Sequence, residues 1–293
     1  MPTRARLALL TAVVLWAVSF VATKVALESA PPLVVVALRL LISAVCFLPW
    51  IVATGGTRGL GGLRVFRELF VLSLFGAGLH YASQTIGLQY TTASNASLYT
   101  TTGPITIMLL SALILGERIT PRKTAGVALA VVGVLVVMGP AKLSSLQLDK
   151  HILGDMLVLA SLVMWGLFTV FGKKLTDQLG ALRVTAWVTV IGASWMAPVG
   201  WAQSRLTGFR ISTLNLEAWA AITFLGVGCS FLATLLYFVA LGLSESQKVG
   251  VYLYLIPPLT ACFAAFYLGE TITLNLVVGA VLVFAGVALT ESS

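Results

Sequence analysis

Residues 15–24 read LWAVSFVATK, and residues 164–173 read MWGLFTVFGK. Trp16 recurs as Trp165 and Lys24 as Lys173, both 149 positions on, and Pro49 recurs as Pro198 at the same spacing. Further along, the spacing lengthens to 153. Tyr99 then recurs as Tyr252, Pro104 as Pro257, Gly116-Glu117 as Gly269-Glu270 and Ile119-Thr120 as Ile272-Thr273. Gly126 and Gly133 likewise recur as Gly279 and Gly286. Self-similarity at a fixed period decides an architecture before any local signal does. The chain, 293 residues long, reads as one domain over 1–293, built from two copies of one unit, 5–139 and 154–290.

The solvent of that unit follows from composition. Hydrophobic residues make up 59% of the chain and charged residues 10%, against roughly 25% charged in a soluble domain. Mean hydropathy is +1.01. A water-soluble fold of this size has no interior large enough for so much apolar surface, so lipid is the solvent for most of it. A crossing takes about 20 apolar residues. Breaks at loop charges, Gly clusters and Pro give ten spans: 5–27, 32–52, 68–88, 92–115, 121–138, 154–173, 181–203, 219–241, 245–268 and 273–290. Continuous apolar runs without strict alternation are helices, which satisfy every backbone group internally. Arg4 and Arg6 followed by Leu7–Ala22 imitate a secretory leader, but this stretch has a counterpart in the second unit and reads as the first transmembrane helix.

Five helices per unit is an odd number, so the second copy enters the membrane from the opposite face. We therefore expect an all-α integral membrane fold: ten helices in two inverted five-helix repeats around a central cavity. That architecture presents one site alternately to the two faces of a membrane. Loop Lys and Arg number eleven on the side holding both termini and five on the other, with Arg39 and Lys248 inside spans. The positive-inside rule then places both termini in the cytoplasm, in a multi-pass protein of the cytoplasmic (inner) membrane. The net charge of +8 forms no stripe, so no nucleic-acid partner is expected. Cys46, Cys229 and Cys262 sit in apolar runs at spacings fitting neither a metal site nor a disulfide.

The LWAVSF opening, the helices carrying Pro104 and Pro257, and LGERIT (115–120), echoed as LGETIT (268–273) and each followed by a short Gly-rich helix, resemble the drug/metabolite transporter superfamily. Within it the chain is similar to the ten-helix, two-repeat EamA family over nearly its whole length. The resemblance implies ten helices around a central cavity and export of small metabolites, among which neutral and aromatic amino acids are prominent.

In inverted-repeat carriers the site lies near the midplane, where helices are interrupted at equivalent positions. The stretches 99–104 (YTTTGP) and 252–258 (YLYLIPP) fit: each Pro removes a backbone donor and frees a carbonyl one turn earlier. Those carbonyls either meet substrate or serve a packing kink closed by Thr hydroxyls, so Tyr99 and Tyr252 are the better candidates. The third span holds His80, Tyr81, Ser83 and Gln84 in an otherwise apolar run. Polar groups at that depth face the protein interior or a wet cavity, and His80 and Gln84, four apart, share a face. Trp16 and Trp165 sit mid-helix at equivalent points and either sandwich an apolar side chain or fill helix crossings. Asn95, one turn before Tyr99, completes the set. Its repeat counterpart Lys248 reaches the surface beside Glu245.

Glu117 and Glu270 stand at helix ends, where capping of the following helix accounts for them, Thr120-Pro121 supplying N-cap and first residue. The glycines seven apart in spans five and ten pack close, either within one chain or at a dimer seam.

No GxxxxGK[ST] loop is present, so ATP is not bound in that way. No cofactor or metal is expected. Apart from helix-end residues the spans lack carboxylates, and His80 is the one mid-span group titrating near neutrality. We expect a facilitator or weakly proton-coupled exporter whose partners are a small-molecule substrate and membrane lipid, as a monomer or a homodimer. Phosphorylated substrates need several cavity cations, and only Arg39 and Lys248 are available. Neutral or zwitterionic amino acids fit better. Lipophilic drugs or other metabolites are the alternative cargo. A lipid-modifying membrane enzyme is a distant one, because His80 and His151 are the only histidines.

Overall fold

With no water in the hydrocarbon to meet a free N–H or C=O, helices are the economical state for these sequences. The computed structural model of the chain describes residues 1–55, 62–90, 99–144, 148–268 and 274–293. Asn95, Gly269-Glu270 and Ile272-Thr273 lie outside the described residues, as do the side chains of 138–151 and 264–268. Among the described residues no strand occurs.

The helices are α1 (Thr3–Ser29), α2 (Pro32–Ala53), α3 (Leu63–Tyr90), α4 (Thr102–Leu115), α5 (Pro121–Ser144), α6 (Leu148–Leu179), α7 (Ala181–Thr207), α8 (Leu216–Leu243), α9 (residues 246–268) and α10 (Leu274–Glu291). Seven stretches are long and apolar enough to cross a membrane: α1, α2, α3, Ile152–Leu179 of α6, α7, α8 and α10. α4 is apolar but only 14 residues long. α9 is broken by a 3-10 turn at Val251–Leu255, immediately ahead of Pro257-Pro258.

Several helices outrun their apolar spans. α3 begins at Leu63 rather than 68, and α6 covers 148–179 rather than 154–173. The extra turns are polar and held by pairs one turn apart, Arg64–Glu68 at 3.3 Å and Lys173–Asp177 at 2.7 Å. Ends follow the local chemistry: Pro32 opens α2, Asn215 Oδ1 accepts from Ala218 N at 2.8 Å to start α8, and Gly116 closes α4 at φ 70°.

Most helices pack against the other half of the chain. α1 lies on α8, α2 on α7, α3 on α6 and α5 on α10, while α4 leans on α6 and α9 on α1. Exchanging the halves turns this set of pairs into itself. The α5–α10 contact is the closest: a Cβ added at Gly133 would lie 2.7 Å from Val283 N and 2.8 Å from Gly279 O, and one at Gly126 2.7 Å from Gly286 O. Gly126 thus faces Gly286 and Gly133 faces Gly279, so the two helices run antiparallel. The glycines join the two halves within one chain, which decides between the two packings open from sequence.

α3 and α8 share a second irregularity. Each changes to π-helical winding midway, at Leu74–Leu79 and Phe224–Ala233. The two segments start 150 residues apart and contain Gly76-Ala77-Gly78 and Gly226-Val227-Gly228 at matching places. Such extra-residue turns re-aim the side chains that follow them.

Candidate functional site

The re-aimed side chains meet between the halves. α1, α2, α3 and α6, with the turn before α4 and the broken part of α9, line a partly open cavity of about 60 Å³. Trp16, Ser19 and Phe20 come from α1, Arg39 from α2, His80, Tyr81 and Gln84 from α3, and Leu162 and Trp165 from α6. Thr100, Leu253 and Ile256 close the remaining wall.

Its floor is aromatic. Trp16 and Trp165 meet edge to face, with ring centres 5.2 Å apart and planes at 87°. Tyr237 of α8 stands 5.4 Å from both, and Phe168 stands 5.3 Å from Trp165. The tryptophan pair is closed on itself, so in this conformation it forms one wall against which an apolar group can lie and leaves no slot between the rings.

The polar side is built from fewer groups. His80 is 5% exposed, and its Nδ1 lies 2.8 Å from the backbone oxygen of Ser161. A carbonyl only accepts, so Nδ1 carries the proton and the neutral ring leaves Nε2 as an acceptor. Its ring centre lies 5.0 Å from those of both Tyr81 and Trp165. Arg39, 2% exposed, donates from Nε to Ser230 Oγ at 2.9 Å and sets its guanidinium carbon 4.0 Å above the centre of the Tyr81 ring. A charge at the centre of a membrane helix costs ~2.5–3.5 kcal/mol on insertion scales, and this one is held by one hydrogen bond and one aromatic face.

Of the residues singled out from sequence, Trp16, His80, Tyr81, Gln84 and Trp165 share this cavity. Tyr99 and Tyr252 are not on its wall. The Tyr99 hydroxyl donates to Asp155 of α6, and that of Tyr252 donates to Glu291 Oε2 of α10 at 2.8 Å. Glu291 also receives Arg6 of α1, so Glu291 ties α1 and the broken part of α9 to the end of α10. Asn95 lies outside the described residues.

Glu117 departs from expectation in its partner. The helix that follows it, α5, is capped by Thr120, whose Oγ1 accepts from Lys123 N at 3.2 Å. The Glu117 carboxylate reaches across the halves to the start of α9, accepting from Ser246 N at 2.7 Å and Gln247 N at 3.1 Å. The left-handed turn at Gly116 directs the chain away from α5's own amides. Lys123 Nζ reinforces the junction, donating to Arg118 O at 2.9 Å and Glu245 Oε2 at 2.5 Å. Lys248 lies 3.9 Å from Glu245, with its side chain largely covered.

Two groups escape a reading of single spans: Arg39 as a wall residue, and Ser230, which anchors it from behind the wall. The recurring Gly-x-Gly of α3 and α8 is the signal for Ser230, because it makes Ser230 the repeat equivalent of His80.

Comparison with known proteins adds the following. A family described as the EamA-like transporter family matches residues 3–139 and 152–292, once for each half. A protein of Archaeoglobus fulgidus described as an uncharacterized transporter is 32% identical, over 100% of this chain and 99% of its own length. A probable amino-acid metabolite efflux pump of Salmonella typhimurium is 32% identical, over 94% of this chain and 91% of its own. A probable terminal-alkyne amino-acid exporter of Streptantibioticus cattleyicolor is 28% identical over 96% and 91%. A crystal structure at 21% identity superposes with a TM-score of 0.80, covering 99% of this chain and 96% of that one.

Proposed function

The chain belongs to the EamA-like transporter family, and from that premise we propose that it exports neutral or aromatic amino acids, or closely related metabolites, from the cytoplasm by alternating access. One observation carries the choice of substrate: the cavity between the halves has an aromatic floor and a single permanent cation on its wall. A zwitterion with an apolar side chain fits that set. The side chain lies on the Trp16–Trp165 wall, and an ammonium group is attracted to ring faces. Relatives described as amino-acid exporters share most of this chain's length.

In this reading the halves are inverted repeats of five spans each, α4 and the broken α9 completing ten crossings, with both termini in the cytoplasmic membrane's inner face. The antiparallel α5–α10 seam supports the inversion. The contacts at either end of the cavity then serve as closures. Glu117 on the α9 amides and Tyr252 on Glu291 hold the cytoplasmic side, and Tyr99 on Asp155 the opposite side. No site for ATP enters the cycle, which runs on the substrate gradient with at most weak proton coupling through His80.

Reconstituted into liposomes and loaded singly with labelled amino acids, the protein should release threonine, methionine or aromatic amino acids selectively, and His80→Ala should lose that release. Release of none of the panel would move the substrate to lipophilic drugs or other metabolites. Selective release unaffected by the mutation would keep the function and remove His80 from the site. Efflux unchanged by collapsing the proton gradient would remove coupling through His80.

A further inference from the structure

Arg39 is the one lysine or arginine among the residues lining the cavity. Its guanidinium is held from two directions. Nε is occupied by Ser230 Oγ at 2.9 Å, and one face of the plane is occupied by the Tyr81 ring at 4.0 Å. Among the described residues no Asp or Glu pairs with it; the ion pairs present all lie elsewhere. Arginine does not give up its proton in a protein, so a permanent charge stands in the span with no counter-ion among the described residues. The two Nη groups remain, a coplanar pair of donors whose fork matches both oxygens of a carboxylate.

The repeat shows that the architecture does not call for this charge. The residue 149 positions on, in α7, is Val188, and Pro198 follows it as Pro49 follows Arg39. Val188 is as buried as Arg39. The same helix in the same unit is built with a buried aliphatic side chain in the second half.

We propose that the Nη edge of Arg39 receives the substrate's carboxylate end-on, with Ser230 and Tyr81 fixing the plane in which it is presented. This rests on the transport reading above and narrows it: the cargo bears one carboxylate, whatever its remaining groups. A phosphate dianion brings two negative charges to a single cation and leaves one unmatched. An amide or amine analogue gives the Nη pair no anionic partner. Ser230 and Tyr81 act here as positioning residues, and Arg39 as the specificity-determining group.

The test is binding to the purified, detergent-solubilised protein, read by tryptophan fluorescence, with two acid/amide pairs as probes: phenylalanine against phenylalaninamide, and phenylacetate against phenylacetamide. The wild type should prefer each acid by at least about tenfold, or about 1.4 kcal/mol. Arg39→Gln should bring the ratio close to one while leaving amide affinity in place, and Arg39→Lys should restore part of the preference. If Arg39→Gln fails to fold, the wild-type ratio alone decides. Equal affinity for acid and amide, a preference that survives Arg39→Gln, or no binding of either acid would overturn the proposal. Binding of phenylacetate but not phenylalanine would uphold the carboxylate site and remove the amino-acid reading. Binding of phenylalanine and its amide alike would do the reverse.

Discussion

Ser230 stands behind the cavity wall and fixes Arg39 from there. Serine is common in apolar helices, where it satisfies itself on the carbonyl one turn back, so nothing in its own span marks it. His80, Tyr81 and Gln84 are legible because four polar positions crowd one apolar run. Arg39 is equally visible in its span, but counting cations against phosphate leaves its partner and its direction unassigned. Tyr99 and Tyr252 show the reverse: their place before a helix-breaking Pro marks them correctly as symmetric, yet their hydroxyls join helix ends and not the cavity. Only the three-dimensional fold says which way a side chain leaves a kink. Ser230→Ala removes the hydrogen bond that fixes Nε. Hydrogen bonds to charged groups contribute about 1.5–3 kcal/mol, and part of this is returned by cavity water. Phenylacetate affinity should fall by about three- to tenfold by that reckoning, with amide affinity unchanged in the same fluorescence titration. An equal loss for both ligands would mean that the hydroxyl supports the fold alone.

At the scale of the element, the helices were written in hydropathy and their irregular turns were not. The apolar runs mark where the helices lie and in what order, because burial in lipid needs only composition. A π segment changes the hydrogen-bond ladder by one residue, and composition does not record it. The Gly-x-Gly in each segment records something else, the close approach of a neighbour. A Cβ at Gly226 would lie 2.7 Å from Ile42 Cγ2, 2.8 Å from Ile42 Cβ and 3.0 Å from the Arg39 carbonyl oxygen. Gly226 is therefore what lets α8 reach the turn of α2 from which Arg39 projects. Gly226→Ala forces those helices apart, and overpacking of this kind costs about 1–3 kcal/mol. Its melting temperature in detergent should fall below that of the wild type, and the acid/amide preference should weaken with it. An unchanged melting temperature would show that α2 yields without cost.

At the scale of the whole molecule, each half supplies what the other lacks. The cavity takes Trp16, Arg39, His80 and Tyr81 from one half and Leu162, Trp165 and Leu253 from the other, whose Ser230 anchors Arg39 from behind. The principal helix pairs cross between halves. This much was legible in the repeated Trp, Pro and Gly positions, since a duplicated unit without its own closed core has to find its mate. Less legible was the exchange at the rim, where Glu117 serves an amide end in the second half and not its neighbour. Chains 1–144 and 148–293, co-expressed as separate polypeptides, should assemble in the membrane and co-purify through a tag on one of them. Halves that each purify alone would show that the seam contributes little to assembly.

The glycine seam between α5 and α10 has a consequence of descent. The duplication equates Gly126 with Gly279 and Gly133 with Gly286, yet the contacts join Gly126 to Gly286 and Gly133 to Gly279. That crossed pattern is the signature of an isologous interface, in which one surface binds an oppositely directed copy of itself. A lone five-helix ancestor carrying these two glycines would already have owned a self-complementary face. Joining two copies in one chain leaves each free to differ, and Arg39 in one half against Val188 at the equivalent place in the other is a difference that an identical pair could not keep.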